Sequence, residues 1–229
     1  MTSLLERWGS LGIHVSGRRN PFEDPEVLIA ESLERYETEG RVLGAMATWL
    51  KGYGHLLISK KLKFRSKRAR RVFSALLDLA KPSDPKLGRM IGRPFRGDAE
   101  SLYRNAYEAQ KKWAVLEPEP HFLRHGFIVR NHPVIREKTL LPPVTVYGRS
   151  IILRYRALYG ATLRSDLLAR FPEIGEASLR QLSRELHVAP AGLISVIRDF
   201  ERSGLIERSA DKGRYARLCW LGSEVIKVA

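Results

Sequence analysis

Hydrophobic positions recur at helical spacing through the first half of the chain. After Asp24-Pro25, Ile29, Leu33 and Tyr36 fall at i, i+4 and i+7, and Gly40 supplies a stop. Asp24 is an N-cap residue and Pro25 occupies the first helical position, where its missing N–H costs nothing. Arg41 to Lys51 predicts a second helix with Leu43, Met46, Ala47 and Leu50 facing inward. Ser66 caps a third that runs to about Ala80, with Ala69, Val72, Phe73, Leu76 and Leu77 on one face. Lys81-Pro82-Ser83-Asp84-Pro85 then separates it from a short turn of helix at Leu87 to Ile91. Asp98 opens a fourth helix, in which Leu102, Ala106, Ala109 and Trp113 keep the spacing.

The middle changes character. Glu117-Pro118-Glu119-Pro120 ends the helical run, because each proline removes a donor and biases its predecessor towards extended geometry. Phe127–Arg130 and Val144–Tyr147 are short β-like runs separated by Pro133, Pro142 and Pro143. The expectation is a helical domain over 1–117, a proline-rich extended connector or short β-ribbon over 118–148, and a second domain over 149–229. In that last segment Ser150–Tyr159 and Leu163–Phe171 are helices, closed by Gly160 and Pro172. Ser178 and Gln181 have capping-box spacing at the start of Leu179–Leu186. His187-Val188-Ala189 is a tight turn, and Pro190 begins a helix that ends at Arg202 before Ser203-Gly204. Leu205–Arg208 and Arg214–Trp220 flank the polar turn Ser209–Gly213, which is a hairpin signature.

Helix, helix, three-residue turn, helix and hairpin, in that order, resembles the winged helix-turn-helix transcription regulators of the MarR and ArsR kind. The resemblance covers residues 162–221. It rests on the support helix from Ser178, the turn at His187, the helix from Pro190, and the exit Phe200-Glu201-Arg202-Ser203-Gly204-Leu205-Ile206. Residues 1–117 carry no such resemblance. It implies a mainly α protein: an all-helical N-terminal domain followed by a C-terminal winged helix with a short β-hairpin wing. It also implies double-stranded DNA as partner, with residues 190–202 inserted in the major groove.

The residues support that reading by themselves. Leu193, Val196, Ile197 and Phe200 form a buried stripe, which leaves Ala191, Gly192, Ser195, Arg198, Asp199 and Arg202 outside. Small residues at the helix start let its backbone approach a groove. Ser195 can bond a base or a phosphate, and Arg198 can make the two-pronged contact to guanine. Arg202, near the helix end, suits the DNA backbone, and Lys212, Arg214 and Arg217 of the wing suit a minor groove or flanking phosphates. Solvated surface charge is the plainer account of Arg198 and Arg202, with Asp199 and Glu201 partly neutralising them.

Charge alters this picture. The 229 residues hold 40 Lys+Arg against 25 Asp+Glu, a formal +15, which calls for a polyanionic partner. The excess is uneven: 151–229 carries only +4, whereas Lys60 to Val72 carries eight cations and no acid. Lys60, Lys61, Lys63, Arg65, Lys67, Arg68, Arg70 and Arg71 are therefore candidates for a second nucleic-acid contact. Cations in the first turns of a helix oppose its dipole, so fold stability does not account for them.

Other chemistry is sparse. His121 and His125 have i, i+4 spacing but lack a zincin glutamate and a nearby cysteine, so no metal site is expected. The single cysteine, Cys219, excludes an intramolecular disulfide framework. Gly9-Ser10 and Gly52-Tyr53-Gly54 lack phosphate-loop spacing, and no cofactor or catalytic constellation is visible, so an enzyme is not expected. No stretch has the 18 or more apolar residues of a membrane span, and the N-terminus lacks a secretory core. The expectation is a soluble, cytoplasmic or nucleoid-associated homodimer that regulates transcription. Two alternatives stand beside it. One is an antitoxin-like repressor gripping a protein partner through its helical domain. The other is an RNA-binding or nucleoprotein-assembly protein that uses residues 60–71.

Overall fold

The structure is a computed structural model and describes residues 3–38, 41–82, 84–103, 119–129, 133–209 and 217–222. The chain divides into two compact units, Met1–Ser150 and Ile151–Ala229. It is mainly helical, with small sheets.

The first unit begins with α1 (Leu4–Ser10), a helix the hydrophobic pattern does not announce. Its signal is the Ser3/Glu6 spacing: the Ser3 hydroxyl accepts from Glu6 N at 3.2 Å, and the Glu6 carboxylate accepts from Ser3 N at 2.9 Å. Helix α2 (Pro25–Arg35) starts where Asp24 accepts from the amides of Glu26 and Val27. Helix α3 (Val42–Tyr53) runs two residues past the expected end. Helix α4 (Lys67–Ala80) is capped by Ser66, whose Oγ accepts from Ala69 N at 3.0 Å. A short α5 (Pro85–Gly88) follows. The inward positions expected of α3 and α4 are all buried. Trp8 and Trp49 meet at the centre, ring centroids 5.8 Å apart. Both indoles are satisfied: Trp8 Nε1 donates to Ser32 Oγ at 3.0 Å and Trp49 Nε1 to the Leu11 carbonyl at 2.9 Å.

Two expectations fail here. Asp98 does not open a helix in the residues described. Instead, β1 (Glu100–Ser101) pairs in parallel with β2 (Phe127–Ile128), and Leu102 N extends the pairing to the Ile128 carbonyl. The capping signal at Asp98 is local, and pairing with a distant segment overrides it; Ala106, Ala109 and Trp113 lie outside the described residues. The N-terminal unit is therefore not all-helical.

The extended connector also fails. The described residues of this stretch, 119–129 and 133–149, hold helices and a strand and belong to the first unit. Helix α6 (Pro120–Arg124) buries Phe122, and Phe127 and Val129 are buried behind it. Val144 to Tyr147, β-like by composition, lies in α7 (Pro143–Arg149). Pro143 sits at its first position with φ already suited to a helix, and Val146 packs over Gly12. Gly12 has φ +106°, and a Cβ there would lie 2.5 Å from a Val146 methyl. The Tyr53 hydroxyl donates to the Leu141 carbonyl, and burial, with Tyr147 beside it, pushes its pKa up to about 12.

His121, Arg124 and His125 converge on Asp78, with N···O distances of 3.6, 3.4 and 3.5 Å. Burial lowers the His125 pKa below its ordinary value near 6.5; Asp78 opposes that shift and Arg124 adds to it. The first unit should therefore lose stability as pH falls below about 6.5, because the unfolded chain takes up a proton that the buried imidazole refuses. The loss levels off once pH passes below the folded pKa. Denaturant melts at pH 5.5 and 7.5 should show a smaller difference for His125→Asn than for the native chain.

The second unit is a helical layer closed by one small sheet. Helix α8 (Ile151–Tyr159) leads to α9 (Leu163–Ile174), capped by Thr162. Pro172 lies inside the last turn of α9 rather than ending it, and the helix closes at Gly175, whose N–H reaches the Phe171 carbonyl at 2.8 Å. A strand not expected from the sequence, β3 (Glu176–Ser178), precedes α10 (Leu179–Glu185). His187, with φ +54°, makes the turn into α11 (Pro190–Arg202). Strands β4 (Ile206–Arg208) and β5 (Arg217–Trp220) complete an antiparallel sheet of order β3-β5-β4. Leu167, Phe171, Leu182, Leu193, Ile197, Ile206 and Leu218 share its core. The described residues contain no helix long and apolar enough to cross a membrane, and no group of three metal-ligating side chains.

Candidate nucleic-acid interface

The α11 helix has two faces. Leu193, Val196, Ile197 and Phe200 are buried in the core of the second unit. Ala191, Gly192, Ser195, Arg198 and Arg202 are exposed, and Ser195, Arg198 and Arg202 follow each other at i, i+3 and i+7 on one stripe. Pro190 at the first position and the short side chains of Ala191 and Gly192 leave the helix start uncluttered. Ile194, 39% exposed, sits beside the stripe and gives it an apolar element that charge-based reasoning passes over.

Both acids on this helix are already paired. Asp199 pairs with Arg164 of α9 and lies 3.9 Å from Arg202. Without Arg164, that carboxylate would repel an approaching phosphate. Arg202 keeps its side chain 80% exposed despite this contact, and Arg198 makes no ion pair among the described residues. Glu201, the other nearby acid, is held by Arg208 at 2.8 Å. Arg180 and Arg184 of α10 are further exposed cations that the sequence reading did not single out.

The proposed wing residues are less complete. Arg217 opens β5 and is exposed, but it pairs with Glu176 of β3 at 3.3 Å, so part of its charge is spent within the sheet. Lys212 and Arg214 lie outside the described residues. Cys219 is half-buried in β5, without a disulfide.

In the first unit the eight cations of 60–71 separate into two groups. Lys61 is not at the surface: its side chain is 2% exposed and its ammonium pairs with Asp24 and, at 3.8 Å, with Glu26. Arg68 and Arg71 are half-buried and share Glu100, and Arg68 also donates to the Leu102 carbonyl at 2.8 Å. Arg65 is exposed but pairs with Glu34 at 3.0 Å. Lys60, Lys63, Lys67 and Arg70 remain exposed and make no ion pair among the described residues. A run of eight like charges thus presents four uncompensated ones. The sequence shows the cations but not which carboxylates folding brings to them.

No family model, curated protein or solved structure matches this chain.

Proposed function

We propose that the chain is a DNA-binding protein, most simply a transcription regulator, whose second unit is a winged helix-turn-helix that places α11 in the major groove. The observation that carries this reading is the stripe Ser195–Arg198–Arg202: polar, exposed, cleared of its neighbouring acids by Arg164 and Arg208, and on a helix entered by a tight turn. Its position after α10 and before an antiparallel β4–β5 pair supports the resemblance seen in the sequence. In this arrangement Arg198 donates two hydrogen bonds to guanine, Ser195 bonds a base edge or phosphate, and Arg202 holds the backbone. Exposed Ile194 can meet a thymine methyl.

Arg198→Ala should lose about 1–3 kcal/mol of discrimination at one base position, seen by comparing binding to single-base variants of a selected site. Equal weakening on every sequence would make Arg198 a phosphate contact instead.

The four exposed cations of the first unit favour an added, sequence-independent contact. Neutralising Lys60, Lys63, Lys67 and Arg70 together with Gln should flatten the slope of log K against log salt by up to about 0.9 per lost phosphate contact. An unchanged slope would remove this stretch from the interface. Preference for RNA over duplex DNA of matched length, abolished by these four changes, would make the first unit the main binding site.

A further inference from the structure

A cavity of about 610 Å³ in the first unit is lined by Arg71, Arg93, Pro94, Phe95, Arg96 and His125. It shares Arg71 with the basic run of 60–71 and is lined by none of the four exposed cations Lys60, Lys63, Lys67 and Arg70. Arg71 reaches it from α4, with its guanidinium 4.2 Å from the Phe95 ring centroid and 4.8 Å from that of Phe127. One Arg71 nitrogen, Nη2, donates to Glu100, while Nη1 is buried and makes no hydrogen bond among the described residues. His125 is almost wholly buried in the wall, with its Nε2 turned to Asp78 Oδ2 at 3.5 Å. A buried guanidinium nitrogen left open beside a cavity is unusual, because a buried polar group normally finds a partner.

The mouth supplies the rest. Arg93 and Arg96 are exposed on either side of Phe95, and neither makes an ion pair among the described residues. Arg71 shares Glu100 with Arg68, and Asp78 faces His125, so the two uncompensated positive charges at the cavity are those of Arg93 and Arg96. Gly126, with φ +80°, lets the backbone approach closely: a Cβ there would strike the Phe95 ring and lie 2.8 Å from Arg71 Nη1. Phe95 covers Arg71 with one face and is itself 40% exposed, so its ring is available for stacking.

We propose that this cavity is a binding site for the phosphate monoester of a nucleotide. The dianion neutralises the two uncompensated charges, Arg71 Nη1 and the paired forks of Arg93 and Arg96 donate to its oxygens, and the base stacks on Phe95. The volume lies within the range usual for small-ligand pockets. The same chemistry has two sources, a free mononucleotide or the 5′-phosphorylated end of a nucleic-acid strand. The site stands independently of the role given to α11.

Calorimetric titration of the full chain tests this with AMP, adenosine and inorganic phosphate, and with short single strands carrying a 5′-phosphate or a 5′-hydroxyl. AMP is expected to bind at least tenfold more tightly than adenosine, with inorganic phosphate competing. Arg93→Ala/Arg96→Ala should weaken AMP at least tenfold without moving the thermal midpoint, because both side chains are at the surface. Gly126→Ala should do the same to binding, whereas Arg198→Ala should leave it unchanged. A 5′-phosphorylated strand that binds more tightly than both AMP and its 5′-hydroxyl counterpart identifies a strand end as the ligand; equal affinity with AMP identifies the free nucleotide. Equal binding of AMP and adenosine, no binding of any phosphate-bearing probe, or indifference to the Arg93/Arg96 change overturns the proposal.

Discussion

Lys61→Met is expected to destabilise the first unit by about 3–5 kcal/mol, although it lies in a run that composition alone would place in solvent. The Lys61 ammonium is the counter-charge for Asp24 and Glu26, whose side chains are 12% and 1% exposed. Both carboxylates have further work in the fold. Asp24 caps α2, and Glu26 accepts from Ile58 N at 2.6 Å, tying the segment before α4 to the start of α2. Removing the cation leaves two negative charges in a poorly solvated site, and such a loss costs far more than an exposed pair contributes. Lys60→Met is the control. Its side chain is exposed, so its effect should stay within about 0.5 kcal/mol. Urea denaturation of the two variants separates the cases, and equal stabilities would mean that Lys61 is solvated.

The second large effect belongs to the buried pair that joins α8 to α9. Arg156 Nε and Nη2 donate to the two carboxylate oxygens of Asp166 at 2.7 and 2.9 Å, with side chains 0% and 1% exposed. Asp166→Ala leaves a guanidinium in the core and should cost about 3–5 kcal/mol in the second unit. The double change Arg156→Met/Asp166→Leu should recover most of that loss, because two apolar side chains of similar volume need no counter-charge. Hydrogen exchange would locate the loss in residues 151–229. A cost for the single variant below about 1 kcal/mol would show that water reaches the pair. Because α9 also carries Arg164, loosening it should free Asp199 and weaken DNA binding by the same substitution.

Much of the helical framework is legible in the sequence because its signals are local. Asp24-Pro25, Ser66, Thr162, Ser178 and Pro190 each mark a helix start through a side chain or ring acting within one turn. The buried stripe of α11 follows from spacing alone. Elements made by distant partners are different. The β1–β2 pairing is two residues long and joins segments some 27 positions apart, so no periodicity can reveal it. Val144 to Tyr147 has strand composition, yet a proline start and the packing of Val146 over Gly12 make it helix. Residues 60–71 show the same limit for charge: Lys61, Arg65, Arg68 and Arg71 find Asp24, Glu34 and Glu100 only once the chain is folded. The Arg71–Arg93–Arg96 cavity is hidden for a related reason, since Arg71 lies more than twenty positions from Arg93 and Arg96 in the sequence.

Reading of duplex DNA by α11 can be measured without knowing the natural site. The most direct measurement is selection of bound duplexes from a random pool by the full chain, repeated with Arg198→Ala. The native chain is expected to enrich a sequence motif, and the variant to show relaxed preference at one position, guanine in the native motif. No enrichment by the native chain, or an enriched motif identical in the two proteins, would mean that α11 does not read DNA through Arg198.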